Sequence, residues 1–86
     1  MVDLEALIRK MMAGGARRQA IVAELESQMA AAEERVNRAA SQAERDLEER
    51  QIEWTRRILS FLKTRMVPRD ITDADMAVYV TLQDVR

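Results

Sequence analysis

The sequence predicts an all-α protein with one long central helix, about residues 16–67, flanked by two short helices and self-associating as a coiled coil or helical bundle. Two observations predict the helix. No Gly or Pro occurs between Ala16 and Val67, and the residues there are mostly Ala, Glu, Arg, Gln and Leu, which are the strongest helix formers. The third observation, a stripe of apolar residues at steps of three and four, predicts the coiled coil.

The stripe keeps a heptad rhythm as far as Ala43 and then drifts through two four-residue steps, which predicts an imperfect coiled coil. Ala32 and Ala39 belong to the stripe but bury little surface. The residues predicted to form the oligomer interface are Val22, Leu25, Met29, Val36, Ala43, Leu47, Trp54, Ile58, Phe61 and Leu62.

A helical hairpin is the alternative to a continuous helix. The candidate turns are Asn37 and the step Ser41-Gln42, and neither contains the Gly or Pro that short helix connections normally use. The uninterrupted composition therefore favours one helix of roughly 75 Å at 1.5 Å per residue. The sequence does not decide against the hairpin, and it does not distinguish a parallel from an antiparallel dimer.

The N-terminal segment, residues 1–13, is predicted to form a short helix. Its apolar residues recur at helical spacing, and Gly14-Gly15 supplies a C-cap and a hinge. This helix can fold back onto the long one. The apolar residues are Leu4, Leu7, Ile8, Met11 and Met12.

The C-terminal segment, residues 72–84, is predicted to form the second short helix. Thr72 and Asp75 have the spacing of a capping box, with Asp in place of the usual Glu. The run Val78 to Thr81 consists of residues that suit a strand equally well, so a strand stays possible.

Composition limits the class of protein. A chain of 86 residues forms one domain, residues 1–86, and its own core gives only marginal stability, which favours a partner chain. There is no Cys and no His, so thiolate and imidazole chemistry are excluded. No signal-peptide pattern or long apolar run occurs, and we expect a cytoplasmic protein.

Spacings that suggest chemistry are better explained structurally. Ser60 and Lys63 match a Ser-x-x-Lys pattern, but no cleft signature surrounds them. Asp70, Asp73 and Asp75 lack the central Gly and terminal Glu of a calcium-binding EF-hand loop, and helix capping explains them better. We therefore expect no enzyme: no catalytic residue, no metal and no cofactor.

Charge is arranged in blocks of alternating sign. Residues 1–20 hold four basic and two acidic groups, and residues 21–53 hold four basic and nine acidic groups. Residues 54–69 hold five basic groups and no acidic one, whereas residues 70–86 hold one basic and four acidic groups. The acidic tail is expected to dock on the basic block, and the basic block to contact a partner. The predicted partner-binding basic patch is Arg56, Arg57, Lys63, Arg65 and Arg69.

The most favoured function is a small protein–protein interaction module, such as an adaptor, assembly factor or inhibitor. Besides another protein, a second copy of the chain is the expected partner. The alternative is a nucleic-acid accessory protein that binds through its Arg-rich patches. The affinity of such binding would fall steeply as salt is added. Membrane binding by the basic block is unfavoured, because acidic residues precede it along the same predicted helix.

Overall fold

The computed structural model describes residues 3–85, and within them the chain is all-α, as predicted, with no strand. It contains four helices: α1 (Leu4–Ala13), α2 (Arg18–Arg38), α3 (Gln42–Thr64) and α4 (Asp73–Leu82). α2 and α3 pack against each other as an antiparallel hairpin. α1 and α4 contact each other at the open end of that hairpin.

The predicted continuous helix over residues 16–67 is wrong. The backbone is extended at Ala39 (φ −60°, ψ 129°) and at Ser41 (φ −136°, ψ 160°), so the chain reverses there. The longest dimension of the molecule is 38 Å, about half of what one helix of that length would span. The hairpin alternative, with its turn at the Ala39 to Ser41 step, is the observed arrangement.

Side-chain hydrogen bonds begin α3 without help from Gly or Pro. The Ser41 hydroxyl accepts a hydrogen bond from the N–H of Glu44 at 3.2 Å, and the Glu44 carboxylate accepts one from the N–H of Ala40 at 3.1 Å. The first contact satisfies a backbone donor that the first turn of a helix leaves unpaired, and the second satisfies the N–H of the residue before the N-cap. The turn is therefore stabilised by local polar chemistry.

The hairpin is favoured because it brings the two apolar ends of the predicted seam together. Leu25 of α2 shares one core with Ile58 and Leu62 of α3, and Ile21, rather than the predicted Val22, is the fourth fully buried residue. A continuous helix would leave these ends far apart along its axis. The buried core as a whole comprises Leu4, Ile8, Ile21, Leu25, Ile58, Leu59, Phe61, Leu62, Val78, Tyr79, Leu82 and Val85.

α1 ends in a Schellman motif at the Gly pair. The N–H of Ala16 donates to the carbonyl of Met11 at 2.9 Å, and the N–H of Gly15 donates to that of Met12 at 3.0 Å. Gly15 has φ 85°, a left-handed conformation that residues with a Cβ adopt only at a cost. The motif lets α1 turn back so that Leu4 and Ile8 reach the core.

α4 is a helix rather than the strand that its β-branched residues allowed. The Thr72 hydroxyl accepts a hydrogen bond from the N–H of Asp75 at 3.3 Å and caps the first turn. Tyr79 packs edge-on against Phe61 and Trp54, with ring centroids 5.1 and 6.1 Å away. Aromatic packing and burial of one face therefore override the weak helix propensity of this segment.

Candidate interaction surfaces

Most of the predicted oligomer-interface residues pack inside the single chain. Leu25, Ile58, Phe61 and Leu62 are buried in its core, and a second group lies partly buried against them: Val22, Met29 and Trp54. The others lie toward the turn of the hairpin, where Val36 is half-buried, Ala43 is exposed and Leu47 is 47% exposed. Of the ten predicted interface residues, Val36, Ala43 and Leu47 are therefore the ones that do not pack against the core of their own chain.

The cations at the start of the predicted basic patch are engaged in ion pairs. Arg56 lies 3.1 Å from the Glu53 carboxylate, while Arg57 lies 3.5 Å from Glu53 and 3.6 Å from Asp70. These pairs are on the surface and contribute little stability. They do lower the net positive charge that a partner would meet.

The next two cations of the patch differ from each other. Lys63 lies 3.3 Å from the Glu26 carboxylate and thus links α3 to α2. Arg69 is exposed and pairs with no acidic side chain among residues 3–85. The structure therefore separates the five predicted residues into different environments.

Arg65 has an intramolecular role that the sequence did not indicate. Its backbone is left-handed (φ 62°) where α3 ends, and its guanidinium donates to the carbonyls of Leu82 and Val85 at 3.3 and 2.7 Å. It also lies 5.9 Å above the Phe61 ring. Since Leu82 is the last residue of α4, Arg65 caps that helix and ties its end to α3.

Between the acidic tail and the basic block, residues 3–85 contain one ion pair, Asp70 with Arg57, and other contacts include the Arg65 hydrogen bonds and the Tyr79 ring packing. Asp73, Asp75 and Asp84 form no ion pair with any residue of 3–85. Three carboxylates of the tail are thus left along α4 and its end. They give this part of the surface an acidic character.

The outer side of α4 carries exposed apolar residues. Met76 is 44% exposed and Val80 56% exposed, and Ala77 beside them is exposed as well. Residues at intervals of three, four and seven lie on one side of a helix. We call the resulting set the α4 stripe: Asp73, Met76, Ala77, Val80 and Asp84.

The stripe matters because α4 is apolar on both of its sides. From Met76 to Gln83 there is no charged residue, while Val78, Tyr79 and Leu82 bury the inner side. A helix that is apolar all round is normally covered all round. Sequence reasoning missed the stripe, although the uncharged run from Met76 to Gln83 was the available signal.

A shallow groove between α1 and α4 borders the stripe. It is lined by Met12 and Arg9 on one side and by Val80, Thr81 and Asp84 on the other. The Arg9 guanidinium donates to the Thr81 hydroxyl at 3.3 Å and pairs with the Glu5 carboxylate at 2.7 Å. The groove widens the apolar surface beside Val80, and its cation already has a counter-ion.

Among residues 3–85, two buried side-chain polar atoms lack a hydrogen-bond partner: Nε2 of Gln51 and the Tyr79 hydroxyl. Burial raises the pKa of Tyr79 above its ordinary value of 10.0; nearby Asp75 and Asp70 raise it further, and Arg57 opposes the shift. Gln51 is 3% exposed, and its backbone carbonyl accepts a hydrogen bond from Thr55 at 2.7 Å. Neither atom stabilises the fold through a polar contact.

Comparisons with known proteins give no assignment: no protein-family model matches the chain, and no curated protein or solved structure matches it significantly. Within the described part of the chain, no three or more acidic side chains are grouped so that they could hold a metal ion. None of the four helices is long and apolar enough to cross a membrane.

Proposed function

We propose that this chain is a small non-enzymatic protein–protein interaction module, of the adaptor, assembly-factor or inhibitor kind, which binds another protein through the α4 stripe. The observation that carries this proposal is the exposure of Met76 and Val80 on a helix whose other side forms the core. Apolar side chains on a helix surface are typical anchors for a second helix or a groove.

The stripe is held rigidly, which favours binding. Tyr79 fixes the inner side of α4 between Phe61 and Trp54, and Arg65 fixes its C-terminal end. A backbone that is already ordered loses little conformational freedom when a partner binds. The exposed side chains of Met76 and Val80 are therefore the main groups that a partner has to order.

The nucleic-acid alternative has weaker support. Arg56, Arg57 and Lys63 already face carboxylates, and Arg65 is bound to backbone carbonyls. A phosphate would have to compete with these groups for each cation. Binding of a DNA or RNA oligonucleotide that weakens steeply with added salt would identify this mode.

A photo-crosslinking amino acid placed at position 80 tests the proposed function in an extract of the native host. Position 27 is the matched control, because Ser27 is exposed in the middle of α2 and away from the stripe. We expect a discrete crosslinked protein from position 80 only, and its loss when Met76→Glu is added. The same products from both positions, or no product from position 80, would contradict the proposal.

A further inference from the structure

We infer that the α4 stripe receives a basic amphipathic helix of the partner protein, whose Lys or Arg side chains engage Asp73 and Asp84. This inference rests on the proposed function, since it specifies the chemistry of the partner at the same surface. The stripe has an acidic residue at each end and apolar residues between them. A complementary helix has the opposite arrangement, cations at both ends of an apolar stripe.

The spacing of the two carboxylates fits a helix of about three turns. Asp73 and Asp84 are eleven residues apart, which brings both to the same side of α4 at a separation of about 16 Å along the axis. Gln83 keeps a helical backbone (φ −61°, ψ −25°), so the helical path continues past Leu82 toward Asp84. Cations eleven residues apart on a partner helix would meet both carboxylates.

Asp84 is the more informative of the two acids. Asp73 lies in the first turn of α4, where the helix dipole favours a negative charge. Asp84 follows the last turn, where a negative charge is unfavourable, and that turn contains no basic residue. Arg9 and Arg17 line the grooves beside Asp84, and Arg65 binds the carbonyls of Leu82 and Val85 on either side of it. No residue of 3–85 forms an ion pair with Asp84 itself, so its carboxylate can still accept a cation from a partner.

Other occupants fit the charge pattern less well. A second copy that presents the same stripe would bring Asp73 and Asp84 against carboxylates, whichever way the two helices run, and like charges across an interface are costly. An anionic membrane surface would repel both groups. Arg9, beside the stripe, is neutralised by Glu5 and does not reverse this preference.

Binding of two synthetic peptides tests the inference. Both peptides are helical and carry the same Leu stripe; one has Lys flanking it and the other has Glu. We expect the Lys peptide to bind at least about 10-fold more tightly at low salt by fluorescence anisotropy, and to shift the NMR methyl signals of Met76 and Val80. Its affinity should fall as salt is added.

Asp84→Lys provides the decisive variant. Lys near a helix C-terminus is favourable, and an unchanged circular dichroism spectrum would show that the fold survives the added cation beside Arg65. The exchange should bring the affinities of the two peptides together or reverse their order. Glu49→Gln is the control, because Glu49 is exposed on α3 beyond the core and its loss should leave the preference unchanged. Unchanged preference in Asp84→Lys would overturn the inference.

The remaining outcomes separate the inference from the proposed function. Equal binding of both peptides, abolished by Val80→Glu, would overturn the inference and leave the function standing. Tighter binding of a phosphatidylglycerol vesicle than of the Lys peptide, or dimerisation that Val80→Glu abolishes, would overturn both the inference and the proposed use of the stripe. If neither peptide binds, the inference is overturned, and crosslinking from position 80 decides the function independently.

Discussion

The hydroxyl oxygen of Ser41 accepts a hydrogen bond from the backbone N–H of Glu44 at 3.2 Å, in the first turn of α3. This contact, with the return contact of Glu44 to Ala40, occurs where the chain reverses direction. The fold thus depends on a polar cap at a place where the composition favours an uninterrupted helix.

Loss of this cap should destabilise the hairpin. We expect Ser41→Ala to lower the free energy of unfolding by about 1 kcal/mol, because N-cap replacements by Ala typically cost this much. Urea denaturation followed by circular dichroism measures the change. Ser27→Ala, at an exposed site within α2, is the control and should be neutral or slightly stabilising. Equal effects of the two changes would argue against a structural role for the cap.

Arg65 should contribute to stability rather than to partner contact. We expect Arg65→Ala to lower the unfolding free energy by roughly 1–2 kcal/mol, since two carbonyls near the end of α4 lose a charged donor. Arg56→Ala removes an exposed cation of the same block and should change stability by less than about 0.5 kcal/mol. Equal stabilities of the two variants in denaturant titrations would refute this role.

Tyr79 should make stability fall at alkaline pH. Its pKa is raised above 10.0 in the folded chain, so the unfolded chain loses the proton first. The contribution of the protonated Tyr79 to the unfolding free energy is therefore complete below pH 10 and is lost as pH rises through the folded-state pKa. Tyr79 is the only Tyr, so tyrosinate absorbance reports it directly.

Tyr79→Phe is the matched variant for this titration. The hydroxyl has no partner, so its removal should leave neutral-pH stability unchanged or slightly higher while both ring contacts persist. The variant should lose less stability than the parent between neutral pH and pH values above 10. A parallel decline of both proteins would show that other groups cause the alkaline loss.

Leu47 allows self-association to be tested without disturbing the core. It is 47% exposed, so Leu47→Asp should change the unfolding free energy by less than about 0.5 kcal/mol. The sequence predicts that copies associate, and we expect this variant to lower the molar mass measured by light scattering at high concentration. A parent that remains monomeric throughout, or a variant of unchanged mass, would contradict the prediction.

The sequence predicted the helices better than their arrangement. The all-α class and α4 followed from composition, periodicity and capping residues. The reversal at the Ser41-Gln42 step is only the less favoured alternative from the sequence, because that step lacks Gly and Pro, although Ser41 and Glu44 have the Ser-x-x-Glu spacing of a capping box. The thin alanine middle of the seam, with large apolar residues at both ends, was the second available signal.

The candidate site was harder to predict because exposure is a tertiary property. Periodicity placed Ile58 and Phe61 on an apolar face, but one face serves a core and an oligomer interface equally well. In the sequence Arg65 is one of five cations of the basic block, and only the structure places its guanidinium at the end of α4. Nothing in the sequence distinguishes Met76 and Val80 from the buried apolar residues of α4, and only the packing shows which side of the helix is left open.

The position of the core at one end of the hairpin gives the molecule uneven local stability. Toward the turn, Ala32 is the only buried apolar residue of α2 beyond Leu25, and the first residues of α3 are exposed. Amides near Ala39 should therefore exchange with deuterium through local fraying, at a small fraction of the free energy that protects Ile58. The turn can open and reclose many times while the packed end remains native, which makes it accessible to a protease without global unfolding.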